Sequence, residues 1–210
     1  MAIKPILFNT EMVRAILDGR KTCTRRVVKT RRKDACGFYV TKNTDGSFAG
    51  VYEYDDEERM AESLMKPPYQ PGDILYVRET WHRYTKRVGE GGKCHLEERY
   101  GYKASIENSE DADEPWRPSI HMPKEAARIW LRVTDVLVER LQDMTDDDAE
   151  AEGCFDYTST ALGFPDVWES TIKKSDLDRY GWQANPYVWK IEFERCKKPK
   201  EVEHERARSN

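Results

Sequence analysis

The chain has 210 residues, 38% of them hydrophobic and 35% charged, with a formal net charge of −4. That length suits a single domain with insertions, and so much charge leaves room for a core only if loops and a tail carry much of it. No apolar stretch approaches the ~20 residues of a membrane span, the opening MAIKPILFNTEM is too short in its apolar run for a signal peptide, and five cysteines without a CxxC spacing point to a reducing cytoplasm.

Pro5 to Phe8 reads as a first strand. Asn9 or Thr10 then caps a helix with Met12, Val13, Ile16 and Leu17 on one face, and Gly19 ends it. A second strand is expected over Thr24 to Val28. Residues 30–66 read as an insertion containing a hairpin with Asp45-Gly46 at its turn. After the rigid KPPYQPGD approach, DILYVRETW is a strand whose alternation puts Leu75, Val77 and Glu79 on one face. A carboxylate in line with aliphatic side chains needs a partner.

Residues 84–114 read as a second insertion, a charged loop or hairpin followed by an acidic stretch at 105–114. Pro118 and Pro123 frame a rigid loop holding Ser119 and His121. Ala127 to Val138 is a strand or bent strand pair in which Ile129, Leu131 and Val133 alternate with Arg128, Trp130 and Arg132. Thr145 opens a short helix with Asp148 in the capping-box position and Gly153 as its stop. A third insertion spans 154–164. A helix then starts after Phe164-Pro165, and a closing strand puts Tyr187, Trp189, Ile191 and Phe193 on one face. The domain is expected to occupy 1–196, with 197–210 a charged, disordered tail. Strands separated by short helices indicate an α+β class, a small mixed barrel with helices at its ends. With neither GxGxxG nor a P-loop, the pattern is not that of a wound nucleotide-binding fold.

Charge is segregated. From Arg14 to Lys33 nine cations face Asp18 alone, a net +8 in that window and −12 in the rest. Such an island suits an anion, with phosphate or nucleic acid the first candidates, or else a solvated loop. Its centre is GRKTCTRR, Gly19 to Arg26, at the end of the first helix. Arg20 there complements the helix dipole. The four histidines are scattered and HExxH is absent, which argues against a metal site. The GxSxG elbow of a serine hydrolase is missing as well.

Lys21, Thr24 and Glu79 remain as a chemical set. A lysine of lowered pKa can deprotonate a threonine hydroxyl, while a glutamate can move a proton or orient the lysine. The alternative is a partly buried Lys21–Glu79 ion pair, with Thr24 satisfying backbone groups.

The combination of G-R-K-T-x-T-R-R with P-G-D-I-L-Y-V-R-E-T-W resembles the ASCH domain, a PUA-like barrel family. Trp116 to Pro123, Arg132-Val133-Thr134 and Asn185 to Trp189 extend the likeness to longer ASCH-like proteins of phages and prophages, over about residues 5–195. The resemblance implies a PUA-like mixed β-barrel with short flanking helices and insertions, and a role with RNA or modified nucleosides.

Within that family, N4-acetylcytidine amidohydrolases use a lysine, a threonine and a glutamate that match Lys21, Thr24 and Glu79. By this likeness Thr24 attacks the acetyl carbonyl, Lys21 is the base and Glu79 assists at the cytosine amine. Arg20, Arg25, Arg26, Arg78, Trp81, Trp116, Ser119 and His121 are the substrate- or nucleic-acid-binding candidates, and neither a cofactor nor a metal is implied. The alternatives are a non-catalytic RNA or nucleotide binder, and a phage accessory protein acting on a host protein. The chain is longer than the compact hydrolases, so a shared pocket is better supported than a shared reaction.

Overall fold

Strand β1 (Ile3–Leu7) lies parallel to β6 (Ile74–Arg78), with Ile3 opposite Ile74 and Leu7 opposite Arg78. The PGD turn explains how they meet. Gly72 adopts φ +86°, a conformation open to glycine at little cost, and the Asp73 carboxylate accepts from Ala2 N at 2.9 Å and from Lys4 Nζ at 2.8 Å. The start of β9 (Trp130–Arg140) pairs antiparallel to β6, Leu131 facing Leu75. Helix α1 (Thr10–Leu17) begins at Asn9, whose side chain accepts from Met12 N at 2.8 Å, and Gly19 follows it at φ +79°.

The computed structural model describes residues 1–30, 37–46, 48–54, 62–90, 94–106, 115–154 and 160–199. They belong to two compact units, each discontinuous in sequence: Met1–Lys21, Gly72–Arg132 and Glu194–Asn210 form the first, Thr22–Pro71 and Val133–Phe193 the second.

The first unit also contains β7 (Trp81–Val88) and β8 (His95–Tyr102), a regular antiparallel hairpin with Trp81 opposite Tyr102. The single strand expected through Trp81 is thus broken: β6 stops at Arg78, and β7 begins two residues beyond Glu79. A core of Ile74, Trp81, Met122, Ala126, Ala127 and Trp130 forms around this junction. Its aromatic members bury the largest apolar areas, which is how a chain so rich in charge sustains a core here.

In the second unit β10 (Tyr187–Cys196) lies between β9 and β2 (Cys23–Val27), with Ile191 opposite Thr24. The expected hairpin is present as β3 (Gly37–Lys42) and β4 (Phe48–Tyr54), and β5 (Glu62–Leu64) adds a third strand. Helix α2 (Asp146–Ala151) has the anticipated capping box, Asp148 N donating to Thr145 Oγ1 at 3.2 Å and Thr145 N to Asp148 Oδ2 at 3.1 Å. Helix α3 (Thr160–Thr171) starts earlier than the proline suggests. Pro165 lies inside it, at the cost of one backbone hydrogen bond. Phe164 and Trp168 project from it onto Leu141 and Val188. A last short helix, α4, covers Leu177–Tyr180.

The class is mixed α+β, dominated by strands with few short helices, and among the described residues the strands close no barrel. No described helix is long and apolar enough to cross a membrane. Most of the acidic stretch 105–114 and of the tail, and part of each proposed insertion, lies outside the described residues.

Candidate functional site

The end of α1 delivers Lys21 into the first unit. Arg20 N and Lys21 N both donate to Ala15 O, at 2.9 and 3.0 Å, which winds the chain tightly past Gly19. Lys21 is 2% exposed, with its ammonium 5.5 Å from the centre of the Phe8 ring, within cation–π range. Arg20, half-buried, pairs with Asp18 at 2.9 Å.

Glu79 sits where β6 ends and is 1% exposed. The partner that burial demands is Arg128, which donates from Nε to Oε1 and from Nη2 to Oε2, each at 2.8 Å. Arg128 is itself fixed. Its Nη1 donates to Ser105 Oγ at 2.6 Å, and its guanidinium stacks 4.1 Å from the Tyr102 ring centre. Sequence reasoning demanded a partner for Glu79 but left Arg128 out of the site. The available signal was the alternation along the strand expected over Ala127 to Val138, which set Arg128 off from Ile129 and Leu131.

Met122, fully buried, anchors the proline-framed loop to the same junction. Arg78 Nε donates to its carbonyl at 2.7 Å, and Glu79 N to its sulfur at 3.2 Å. Ser119 and His121 lie in the short turn before it, His121 exposed and Ser119 half-buried. Trp81 is 4% exposed and packs edge-on to Tyr100, with Arg117 over its ring. Trp116 is half-buried, its ring 4.7 Å from that of His82. The first unit therefore brings Arg78, Glu79 and Trp81 to one junction with Met122, while Trp116 belongs to the neighbouring aromatic cluster on the hairpin.

In the second unit, Thr24 on β2 is 0% exposed, and its hydroxyl has no hydrogen-bond partner among the described residues. Alternation puts Cys23 and Arg25 on the other face of the strand. Arg25 was expected to contact phosphate. The structure places it inside the protein, 2% exposed, among Glu139, Asp148 and Glu152.

Arg25 Nε donates to Glu139 Oε1 at 2.7 Å, and Nη1 reaches Glu152 Oε1 at 3.4 Å. Nη2 lies within ion-pair distance of Glu139 and Asp148, yet is aligned for a hydrogen bond with neither. Burial opposes its charge, but Glu152 and Glu139 outweigh that and hold the guanidinium above its ordinary value. Those carboxylates take up the cation that the sequence offered to an anion. Lys190 joins the cluster, 2.6 Å from Asp148 and 3.3 Å from Glu192. Arg26, half-buried, donates to the Arg25 carbonyl at 3.2 Å.

Among the described residues no group of three or more His, Cys, Asp or Glu side chains is arranged to hold a metal ion. No family model matches the chain, and no curated protein or solved structure matches it either.

Proposed function

We propose that this chain is a PUA-like ASCH protein of the cytoplasm that acts on RNA or a modified nucleoside, with hydrolysis of an N4-acetylcytidine-type amide as its reaction. The observation that carries the reading is burial: Lys21, Thr24 and Glu79 are 2%, 0% and 1% exposed. Withdrawing an ammonium, a hydroxyl and a carboxylate from water costs free energy that apolar side chains would not. Chemistry at these groups is a reason to retain them.

In this reading Lys21 acts as the neutral amine: it accepts the Thr24 hydroxyl proton as Oγ1 attacks the acetyl carbonyl, and holds it for the leaving nitrogen. Collapse of the tetrahedral adduct breaks the bond to the exocyclic nitrogen, which leaves protonated as the amine of cytidine. Glu79 assists proton movement to that amine, and water then cleaves the acetyl-threonine ester to acetate. Because the Thr24 side chain is sealed, substrate reaches Oγ1 only after its covering side chains move.

Chromatography of N4-acetylcytidine incubated with wild type, Lys21→Ala, Thr24→Ala and Glu79→Gln tests the reading. Release of cytidine and acetate, lost in each folded variant, is the expected result. A folded wild type that leaves the amide intact would end the hydrolase reading.

A second reading, a non-catalytic RNA or nucleotide binder, is favoured by one contact. Both oxygens of Glu79 are already taken by Arg128, which leaves the carboxylate better placed to orient a ligand than to exchange a proton. Salt-sensitive binding of oligonucleotides without turnover would select it.

A further inference from the structure

A cleft of about 440 Å³ opens on the first unit, where the end of β8, the turn before β9 and the residues closing β10 meet. Pockets for small ligands span roughly 300–1,000 Å³, so it is of ligand size. Trp130, 3% exposed, contributes to its lining, and the half-buried Tyr100 and Tyr102 supply aromatic wall.

The rings are held in place. Tyr102 donates its hydroxyl to Ala126 O at 2.6 Å, and Tyr100 meets the Trp81 ring edge-on at 5.7 Å. A surface whose rotamers are already fixed loses little entropy on binding.

The charge in the cleft is of two kinds. Arg128 lines it, but its charge is already matched by the bidentate Glu79 carboxylate, with Nη1 donating to Ser105. Lys197 and Lys198 are different. Both line the cleft, Lys197 exposed and Lys198 with its ammonium 6.0 Å from the Trp130 ring centre, and neither is ion-paired among the described residues. Glu125, exposed, is the one acid in the lining among the described residues. Two ammonium groups beside fixed aromatic rings match a ligand that joins a compact anion to a flat ring.

We propose that this cleft binds a nucleotide, its phosphate on Lys197 and Lys198 and its base against Tyr100, presented as a free nucleoside monophosphate or within a single strand. Lysine is an effective point-charge ligand for phosphate, and base–aromatic stacking tolerates any base. Neither Lys21 nor Thr24 lines this cleft, and the proposal does not rest on the hydrolase reading.

Cys196 lines the same cleft and is half-buried, while Cys94 is exposed on the hairpin. Alkylation of the full chain by iodoacetamide, with each cysteine followed by peptide mass spectrometry, therefore carries its own control. Cytidine 5′-monophosphate and a short oligocytidylate are the nucleotide probes, with cytidine and inorganic phosphate as the partial ligands. The expected result is slower alkylation of Cys196 and an unchanged rate at Cys94. The concentration needed should rise about tenfold or more in Lys197→Gln/Lys198→Gln, a loss of about one phosphate contact, and further in the Glu pair. Protection by the monophosphate identifies a free nucleotide; protection by the oligonucleotide alone identifies a strand. The proposal is overturned by no protection at millimolar ligand, by protection undiminished in the lysine variants, or by inorganic phosphate protecting as well as the nucleotides.

Discussion

The guanidinium of Arg128 and the carboxylate of Glu79 meet edge to edge through two parallel hydrogen bonds of 2.8 Å, one side chain 25% exposed and the other 1%. Removing the cation would strand the anion. Arg128→Ala is expected to destabilise the protein by about 3 kcal/mol, since an uncompensated buried charge is the costly outcome. Combining Arg128→Met with Glu79→Gln should recover much of the loss. Urea unfolding of the three proteins measures it, and a single-variant effect below about 1 kcal/mol would mean that water reaches Glu79 after all.

Asp148 gives the second unit an acid-sensitive contact. Burial works against its charge, but the hydrogen bond from Lys190, the Thr145 N–H and the nearby Arg25 overcome this and bring its pKa from 3.8 to about 2. A carboxyl lowered in the folded state contributes stability above its unfolded pKa and loses it as pH falls through the folded one. The contribution is about 2 kcal/mol, present above about pH 4 and lost towards pH 2. Unfolding free energy measured across that window should fall with acid in wild type and fall less in Asp148→Asn. Parallel curves would remove Asp148 from the account.

Gly101 supports the aromatic cluster on the β7–β8 hairpin. A Cβ there would lie 1.8 Å from Nε2 of His82, and that ring is flanked by Trp116 at 4.7 Å and Tyr84 at 5.4 Å. Gly101→Ala should displace the imidazole and cost about 1–3 kcal/mol, as overpacking does. Near-ultraviolet circular dichroism should change together with the melting temperature. A variant with wild-type values for both would show that the ring swings aside freely.

Thr24→Val separates fold from chemistry. The Thr24 hydroxyl is buried without a hydrogen-bond partner among the described residues, so replacing it by a methyl group of similar shape should leave stability unchanged or raise it by up to about 1 kcal/mol. Under the hydrolase reading the same variant loses turnover altogether. A marked loss of stability would reveal that the hydroxyl does have a partner in solution.

Local signals were the most legible part of this chain. The Asn9 cap, the Thr145–Asp148 capping box and the hairpin around Gly46 all appear where residue chemistry places them. Burial at Glu79 was also readable, because strand alternation put a carboxylate among aliphatic side chains. Its partner was not, since Arg128 is 49 residues away and nothing local ties the two together. Arg25 shows the same limit. Four neighbouring cations suggested an anion site, while the acids that claim it, Glu139, Asp148 and Glu152, arrive from more than a hundred residues later in the chain. Composition records charges; only the fold records which of them are already matched.

The threading of the two units has a consequence for synthesis. The chain leaves the first unit at Lys21, re-enters at Gly72, leaves again at Arg132 and returns at Glu194. A ribosome delivering this chain therefore cannot complete the first unit before Glu194 and the residues beyond it emerge, long after Met1–Lys21. The second unit waits nearly as long, for β10. Pairing of β10 with β9 and β2 waits for β10 to emerge, whereas β1 can pair with β6, and β6 with the start of β9, well before it.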